Sequence, residues 1–223
     1  MIDNPTICDN RNYVYDSQVS YFRAEYPIIL DWVCKGSLVI DYCCGDGLLL
    51  DTLKKMKDCS CTGVELSESA VEIVRSKGFE VISGRADEKH LEIPDKKFDY
   101  SICNVSVQMV MYPEILLMEM ARVSKYQIIS FPNFANYKNR LDLFFNGRMP
   151  RPLLYGYKWY STGHIHQFSI KDFYNFCNER GFEIIKFEPV IKKSAFYNLK
   201  RKIISLLPNV FADTCVFLLK QIK

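Results

Sequence analysis

Between Ser37 and Phe131 the chain alternates short apolar runs with segments of helical character, and this rhythm narrows the possible folds more than any other feature. Ser37-Leu38-Val39-Ile40-Asp41 runs apolar into a turn that holds Gly45 and Gly47, the pattern of a buried parallel strand. Leu48–Met56 then reads as a helix. Cys61–Leu66 reads as a second strand, and Ser67 caps a helix through Lys77 that Gly78 ends. Phe79–Ser83 makes a third strand. Phe98–Asn104 makes a fourth, entered from the turn Pro94-Asp95-Lys96-Lys97. Pro113 opens a helix over Glu114–Val123, and Gln127–Phe131 makes a fifth strand. Such alternation implies a parallel sheet with right-handed crossovers.

The rhythm breaks at Pro132. Residues 132–168 are rich in Asn, Tyr, Pro, Gly and Arg, show no strand of obvious length, and are too many for a plain connection; they read as a lid. Ser169–Gly181 restores a helix, and Phe182–Val190 and Thr214–Gln221 read as closing strands. At the other end, residues 1–20 are polar and tyrosine-bearing, and a helix over Tyr21–Val33 stops at Lys35-Gly36. The expected architecture is α/β: a seven-stranded, mostly parallel sheet with helices on both faces and an insertion after the fifth strand. One domain spans 1–223, with 1–36 as an N-terminal cap and 132–168 as the lid.

A chain of 223 residues can bury a sizeable core. The net charge of +3, from 29 basic and 26 acidic residues, is too small to argue for nucleic acid. Nine cysteines include adjacent Cys43-Cys44 and the pair Cys59 and Cys61, yet no two CxxC units exist to hold zinc. Buried cytosolic thiols are the favoured reading. Met1-Ile2-Asp3-Asn4-Pro5 lacks the basic start and apolar stretch of a secretory leader, and no apolar run reaches membrane-span length. A cytoplasmic location is expected.

The sharpest chemical signal is Asp41-x-x-x-Gly45-x-Gly47, set between the first strand and its helix. Glycines there let backbone approach a ligand, at the carboxyl edge where such sheets bind small molecules, and free N–H groups at the helix start can receive an anionic group. Glu65 ends the next strand, 24 residues after Asp41, where an acid can accept both hydroxyls of a ribose. The full Gly-x-Gly-x-x-Gly spacing of a nicotinamide site is missing, because Leu48, Leu49 and Leu50 follow Gly47. The lid offers Asn133, Tyr137, Arg140, Arg148, Arg151, Trp159, Tyr160, His164 and His166. His164 and His166 share a face if the segment is extended, and an imidazole there can act as a base near neutral pH. His166 is equally readable as a hydrogen-bonded structural residue beneath the lid. Arg148 and Arg151 suit a substrate carboxylate or phosphate, although solvated loop arginines are commoner. With no third ligand beside the histidines, a metal site is not expected. Tyr13, Tyr15, Tyr21 and Arg23 either fold over a ligand in this loop or pack as a helix face. Lys192-Lys193 and Lys200-Arg201-Lys202, beside Ile203-Ile204 and Leu206-Leu207, read as a connecting helix with a solvated basic face rather than a membrane contact.

Asp41–Gly47, Gly63-Val64-Glu65-Leu66 and Phe98-Asp99-Tyr100 resemble the class I S-adenosylmethionine-dependent methyltransferases. Ser130-Phe131-Pro132-Asn133-Phe134, Gly147-Arg148-Met149-Pro150, Trp159-Tyr160 and Ile165-His166 narrow the likeness to the MetW group of methionine-biosynthesis proteins, over roughly residues 28–187. The resemblance implies a Rossmann-like fold with S-adenosylmethionine as cofactor. Asp41, Gly45 and Gly47 would line its methionine part, with Cys43 in the same loop. Glu65 would hold the ribose with Leu66 beside it, Ala86 and Asp87 would lie by the adenine, and Asn104 would face the methyl group. From their place in the lid, and apart from the resemblance, Asn133, Arg148, Trp159, Tyr160 and His164 are the expected substrate contacts, with His166 as base or as a structural residue. Two positions depart from the pattern: Cys43 replaces the loop's first glycine, and Arg85 stands where an acid is usual. Three functions follow as alternatives: methyl transfer to a small molecule, methyl transfer to a surface-polymer precursor, or a non-catalytic role as partner or regulator of a homoserine O-acyltransferase.

Overall fold

The computed structural model describes residues 22–150, 159–160, 162–191 and 197–222. Tyr13, Tyr15, Tyr21, Arg151 and Lys192-Lys193 lie outside the described residues. Seven strands form one sheet: β1 (Leu38–Tyr42), β2 (Ser60–Glu65), β3 (Glu80–Ser83), β4 (Phe98–Asn104), β5 (Ser124–Pro132), β6 (Phe182–Pro189) and β7 (Thr214–Gln221). Their order is β3-β2-β1-β4-β5-β7-β6. All neighbours pair in parallel except β7, which runs antiparallel to β5 and to β6.

Strand periodicity divides the core into two layers. Val39, Ile102, Ile128, Val216 and Leu218 point to one face, where Ile29, Leu30 and Trp32 of α1 (Tyr26–Trp32) and Leu49 and Leu53 of α2 (Leu48–Lys57) pack on them. Ile40, Tyr42, Cys103, Ile129, Phe131 and Phe217 point to the other. There they meet Leu116, Leu117 and Met120 of α4 (Pro113–Val123) and Ile170, Phe173 and Cys177 of α6 (Ile170–Glu179). Such alternation is what a sheet covered on both faces requires. Between β2 and β3, α3 spans Glu68–Ser76. The chain winds outward from β1 through β2 to β3, then returns to place β4 on the other side of β1. The carboxyl ends of β1 and β4 therefore border a topological switch point, the place where such sheets bind ligands.

Several boundaries move from expectation. Pro27 takes the first turn of α1, so that helix begins near Tyr26 and not at Tyr21. The fifth strand begins at Ser124 rather than Gln127: Ser124 pairs with Phe98, and its hydroxyl lies 2.8 Å from Ser101 Oγ, so polar letters hide three strand positions. Residues 132–168 are not irregular throughout. They include α5 (Tyr137–Asn146), whose first turn is capped by the Asn136 side chain accepting from Lys138 N, and which ends at Gly147 with φ 59°. Helix α6 starts from the expected cap, Ser169, in a reciprocal capping box with Asp172. As expected, a helix links the last two strands, α7 (Tyr197–Leu206), and a short turn of helix, α8 (Pro208–Phe211), follows it. Among the described residues, no helix is long and apolar enough to cross a membrane.

Candidate cofactor site

The loop after β1 reverses through left-handed backbone. Cys43, Gly45 and Gly47 take φ values of 59°, 57° and 74°. A non-glycine residue pays ~1–2 kcal/mol for that conformation, so Cys43 needs local support. Its half-buried thiol hydrogen-bonds with Cys103 on β4, and that bond, reinforced by burial, pushes the Cys43 thiol well above the ordinary range. Cys44 N donates to Val64 O at 3.2 Å, which lays the loop against β2. Gly63 permits this approach: a Cβ there would lie 2.6 Å from Cys44 Sγ. Gly47 serves packing as well as curvature, because its Cβ would lie 3.0 Å from Val74 Cγ2 of α3.

Two acids face each other beneath the loop. Glu65, 8% exposed, closes β2 and gathers three backbone donors: Gly45 N at 2.8 Å on Oε2, and Leu66 N and Ser67 N at 2.9 Å each on Oε1. An ionised carboxylate has about four acceptor positions, which leaves room for a hydroxyl beside these bonds. Asp41 is 3% exposed, and its Oδ1 has no hydrogen-bond partner among the described residues. Burial and the neighbouring Glu65 push its carboxyl well above the usual range, with Arg23 opposing. A buried carboxylate without a partner is costly. A cation carrying hydroxyl groups would satisfy both acids, and a sulfonium nucleoside with an amino-acid arm is such a ligand.

The expected adenine neighbours sit on the loop after β3. Ala86 is buried, and so is Asp87, whose Oδ2 accepts from Arg85 Nη2 and from Tyr112 N, both at 2.8 Å. The unusual Arg85 is thus neutralised by Asp87 and tied to the entry of α4; it also lies 3.4 Å from Glu88.

At the tip of β4, Asn104 Oδ1 accepts from Ser130 Oγ at 2.6 Å. The next residue, Val105, has φ 52°, a genuine outlier for a β-branched side chain. It is held by donating from its N–H to Ser130 O and Ser130 Oγ. His166 docks on this same loop: its N–H donates to Gln108 O at 3.0 Å, and its Nε2 lies 3.2 Å from Met111 O. A carbonyl only accepts, so Nε2 is the donor in this contact and Nδ1 is the ring nitrogen that could accept. Gln108 is buried and braces the strained turn by donating to Val105 O. Sequence reasoning missed Val105, Ser130 and Gln108 as supports: Val105 and Gln108 follow the tip of β4, and Ser130 faces Asn104 from within β5.

The lid residues divide. Asn133, expected at the substrate, is 0% exposed; its Nδ2 donates to Asn209 O and Ala212 O, and its Oδ1 accepts from Ala135 N and Ile170 N. Ile165 N donates to Gly163 O across His164, a tight three-residue turn ahead of His166. His164 N donates to Thr162 Oγ1. Arg148 pairs with Asp142 at 3.2 Å at the end of α5. Trp159 and Tyr160 are exposed, and their rings meet edge to face at 5.5 Å. Among the described residues no group of three His, Cys, Asp or Glu side chains is placed to hold a metal.

Comparison with known proteins places the fold and the family. Solved structures share the fold over most of their length. An S-adenosylmethionine-dependent methyltransferase from Mesorhizobium loti superposes with TM-score 0.62 at 14% identity, covering 89% of this chain and 98% of that one. One from Archaeoglobus fulgidus gives 0.61 at 17% identity, with 89% and 92% covered. The [4+2]-cyclase SpnF gives 0.60 at 14% identity, with 88% and 80% covered. The sheet is therefore that of the Rossmann-like class I methyltransferases. A curated relative, the bifunctional methionine biosynthesis protein MetXA/MetW of Rhodopirellula baltica, is 32% identical over 143 residues, 60% of this chain. The matched stretch spans only 23% of that longer protein. The family model described as methionine biosynthesis protein MetW matches residues 23–219, and on that match the chain belongs to the MetW family.

Proposed function

We propose that the chain binds S-adenosylmethionine in the loop Asp41–Gly47 and transfers its methyl group to a small molecule or a surface-polymer precursor. The observation that carries this reading is the pair of buried acids, Asp41 and Glu65, at the switch point of the sheet. When bound, the cofactor supplies an electrophilic methyl group on a sulfonium. Glu65 accepts ribose hydroxyls, and Asp41 lies where a positive charge lowers the free energy of its buried carboxylate. Gly45 and Gly47 keep the backbone clear, while Ala86 and Asp87 border the adenine. Asn104, fixed by Ser130, orients the methyl side. Transfer of this kind gains most from alignment, and the pinned loop after β4 is suited to it.

His166 brings an acceptor nitrogen to that loop, so for a hydroxyl or another weakly acidic acceptor it serves as base. His166→Ala should then leave cofactor affinity unchanged and lower turnover by about a hundredfold; unchanged turnover on such an acceptor removes the base from the scheme. Titration calorimetry with S-adenosylmethionine tests the reading as a whole.

A second reading has its own support, because the curated relative joins a MetW part to MetXA in one chain. In it, the protein is a non-catalytic partner of a homoserine O-acyltransferase and senses the cofactor as a product of the pathway. Stimulation of that acyltransferase, with no methyl acceptor consumed, would favour this role.

A further inference from the structure

Helix α5 turns its apolar stripe outward. Tyr137, Leu141, Phe144 and Phe145 recur at helical spacing and so share one side of the helix. All are exposed, Phe144 at 80% and Phe145 at 73%. The residue the helix does bury is the polar Asn139, about 200° round the axis from Tyr137. A helix of ten residues is shorter than the ~12–15 at which helices hold themselves in water. Helices in proteins normally gain stability by burying such a stripe, not by exposing it.

The apolar surface continues beyond α5. The Tyr137 ring lies 5.7 Å from that of Phe211 in α8, and Arg140 Nη2 donates to Asn209 O in the same helix. Leu207, whose carbonyl caps α8, joins it to α7. There Ile203, Leu206 and Leu207 are exposed beside exposed Arg201 and Lys202. Exposed cations accompany these helices: Lys138 and Arg148 pair with Asp213 and Asp142, and Arg140, Arg201 and Lys202 add positive charge beyond those pairs.

We propose that α5 and the end of α7 form a docking surface for an anionic lipid bilayer. Exposed aromatic and aliphatic side chains on short helices, rimmed by arginine and lysine, match the chemistry of a bilayer interface: rings and aliphatic groups enter the headgroup boundary while cations meet acidic headgroups. The surface lies just past the carboxyl end of β5, on the same edge of the sheet as Asn104. Resting on the methyltransferase reading, this placement turns the acceptor side of the site toward the membrane, and the acceptor class becomes one presented at a lipid surface.

Flotation of the full chain with vesicles provides the test. The protein should rise with vesicles of phosphatidylglycerol in phosphatidylcholine, rise far less with phosphatidylcholine alone, and lose part of its binding in high salt. Phe144→Ser with Phe145→Ser should cut the partition by about tenfold or more without lowering the melting temperature. Leu141→Gln gives a second, milder variant. Arg201→Gln with Lys202→Gln should weaken binding to the anionic vesicles only. No flotation with phosphatidylglycerol, or flotation indifferent to the phenylalanine pair, overturns the proposal. So does a wild-type dimer in sedimentation velocity that the phenylalanine substitutions dissolve, which assigns the stripe to a second copy. Cofactor titration of the same variants separates the two ideas: absence of cofactor binding in wild type removes the methyltransferase reading and leaves the flotation result standing.

Discussion

Removing the Glu65 carboxylate leaves the N–H groups of Gly45, Leu66 and Ser67 without their acceptor. Glu65→Ala should therefore lower stability as well as affinity, by about 1–3 kcal/mol, and Glu65→Gln should keep part of both; a melting temperature unchanged in Glu65→Ala would contradict the strut role. Asp41 makes a different prediction. Its raised carboxyl holds a proton in the folded chain above the ordinary aspartate range, so its contribution to stability is full below that range and lost as pH rises through the raised value. A cation bound beside it favours the ionised form, so binding should release a proton and affinity should rise with pH through the same window. Calorimetry in two buffers of different protonation enthalpy reads this directly, and Asp41→Asn should abolish the proton release. Identical heats in both buffers for wild type would show that Asp41 is not coupled to the ligand. The placement of Asp41, Gly45, Gly47 and Glu65 was legible because they lie at the ends of adjacent strands and need only local order to be recognised. Asn133 was not: its partners, Asn209 and Ala212, lie more than seventy residues away and only the fold brings them near.

Element by element, the sheet was readable because its central strands β1, β5 and β7 carry apolar runs buried on both faces. Starts of elements were less so. Ser124-Lys125-Tyr126 looks polar yet pairs with β4, and α5 is a helix whose apolar stripe faces outward, so periodicity pointed to no core. Its capping letters, Asn136 and Gly147, were present but lay in a segment dominated by loop-forming residues. The capping box of α6 gives a measurable case: Ser169→Ala removes an acceptor for Asp172 N and should cost about 1 kcal/mol. For a chain of this size that lowers the melting temperature by about 2–4 °C. No change would mean that the box adds nothing to packing by Ile170, Phe173 and Cys177.

At the scale of the whole molecule, the seven-stranded order fixes where a ligand sits but not what becomes of it. SpnF shares this architecture as a cyclase, which shows that the fold alone does not choose the reaction. What distinguishes this chain is the combination at the switch point: a left-handed loop with Cys43 in a glycine's place, two buried acids, and His166 held against a strained turn after β4. Binding of S-adenosylmethionine by that loop is the claim on which the methyltransferase and cofactor-sensing readings both stand. Titration calorimetry of wild type beside Gly45→Val measures it most directly, since a branched side chain at φ 57° obstructs the ligand's approach and strains the loop. The account predicts one saturable site in wild type and its loss in a Gly45→Val chain shown to be folded by circular dichroism; no heat of binding in wild type at millimolar cofactor, or equal affinity in the two, would contradict it.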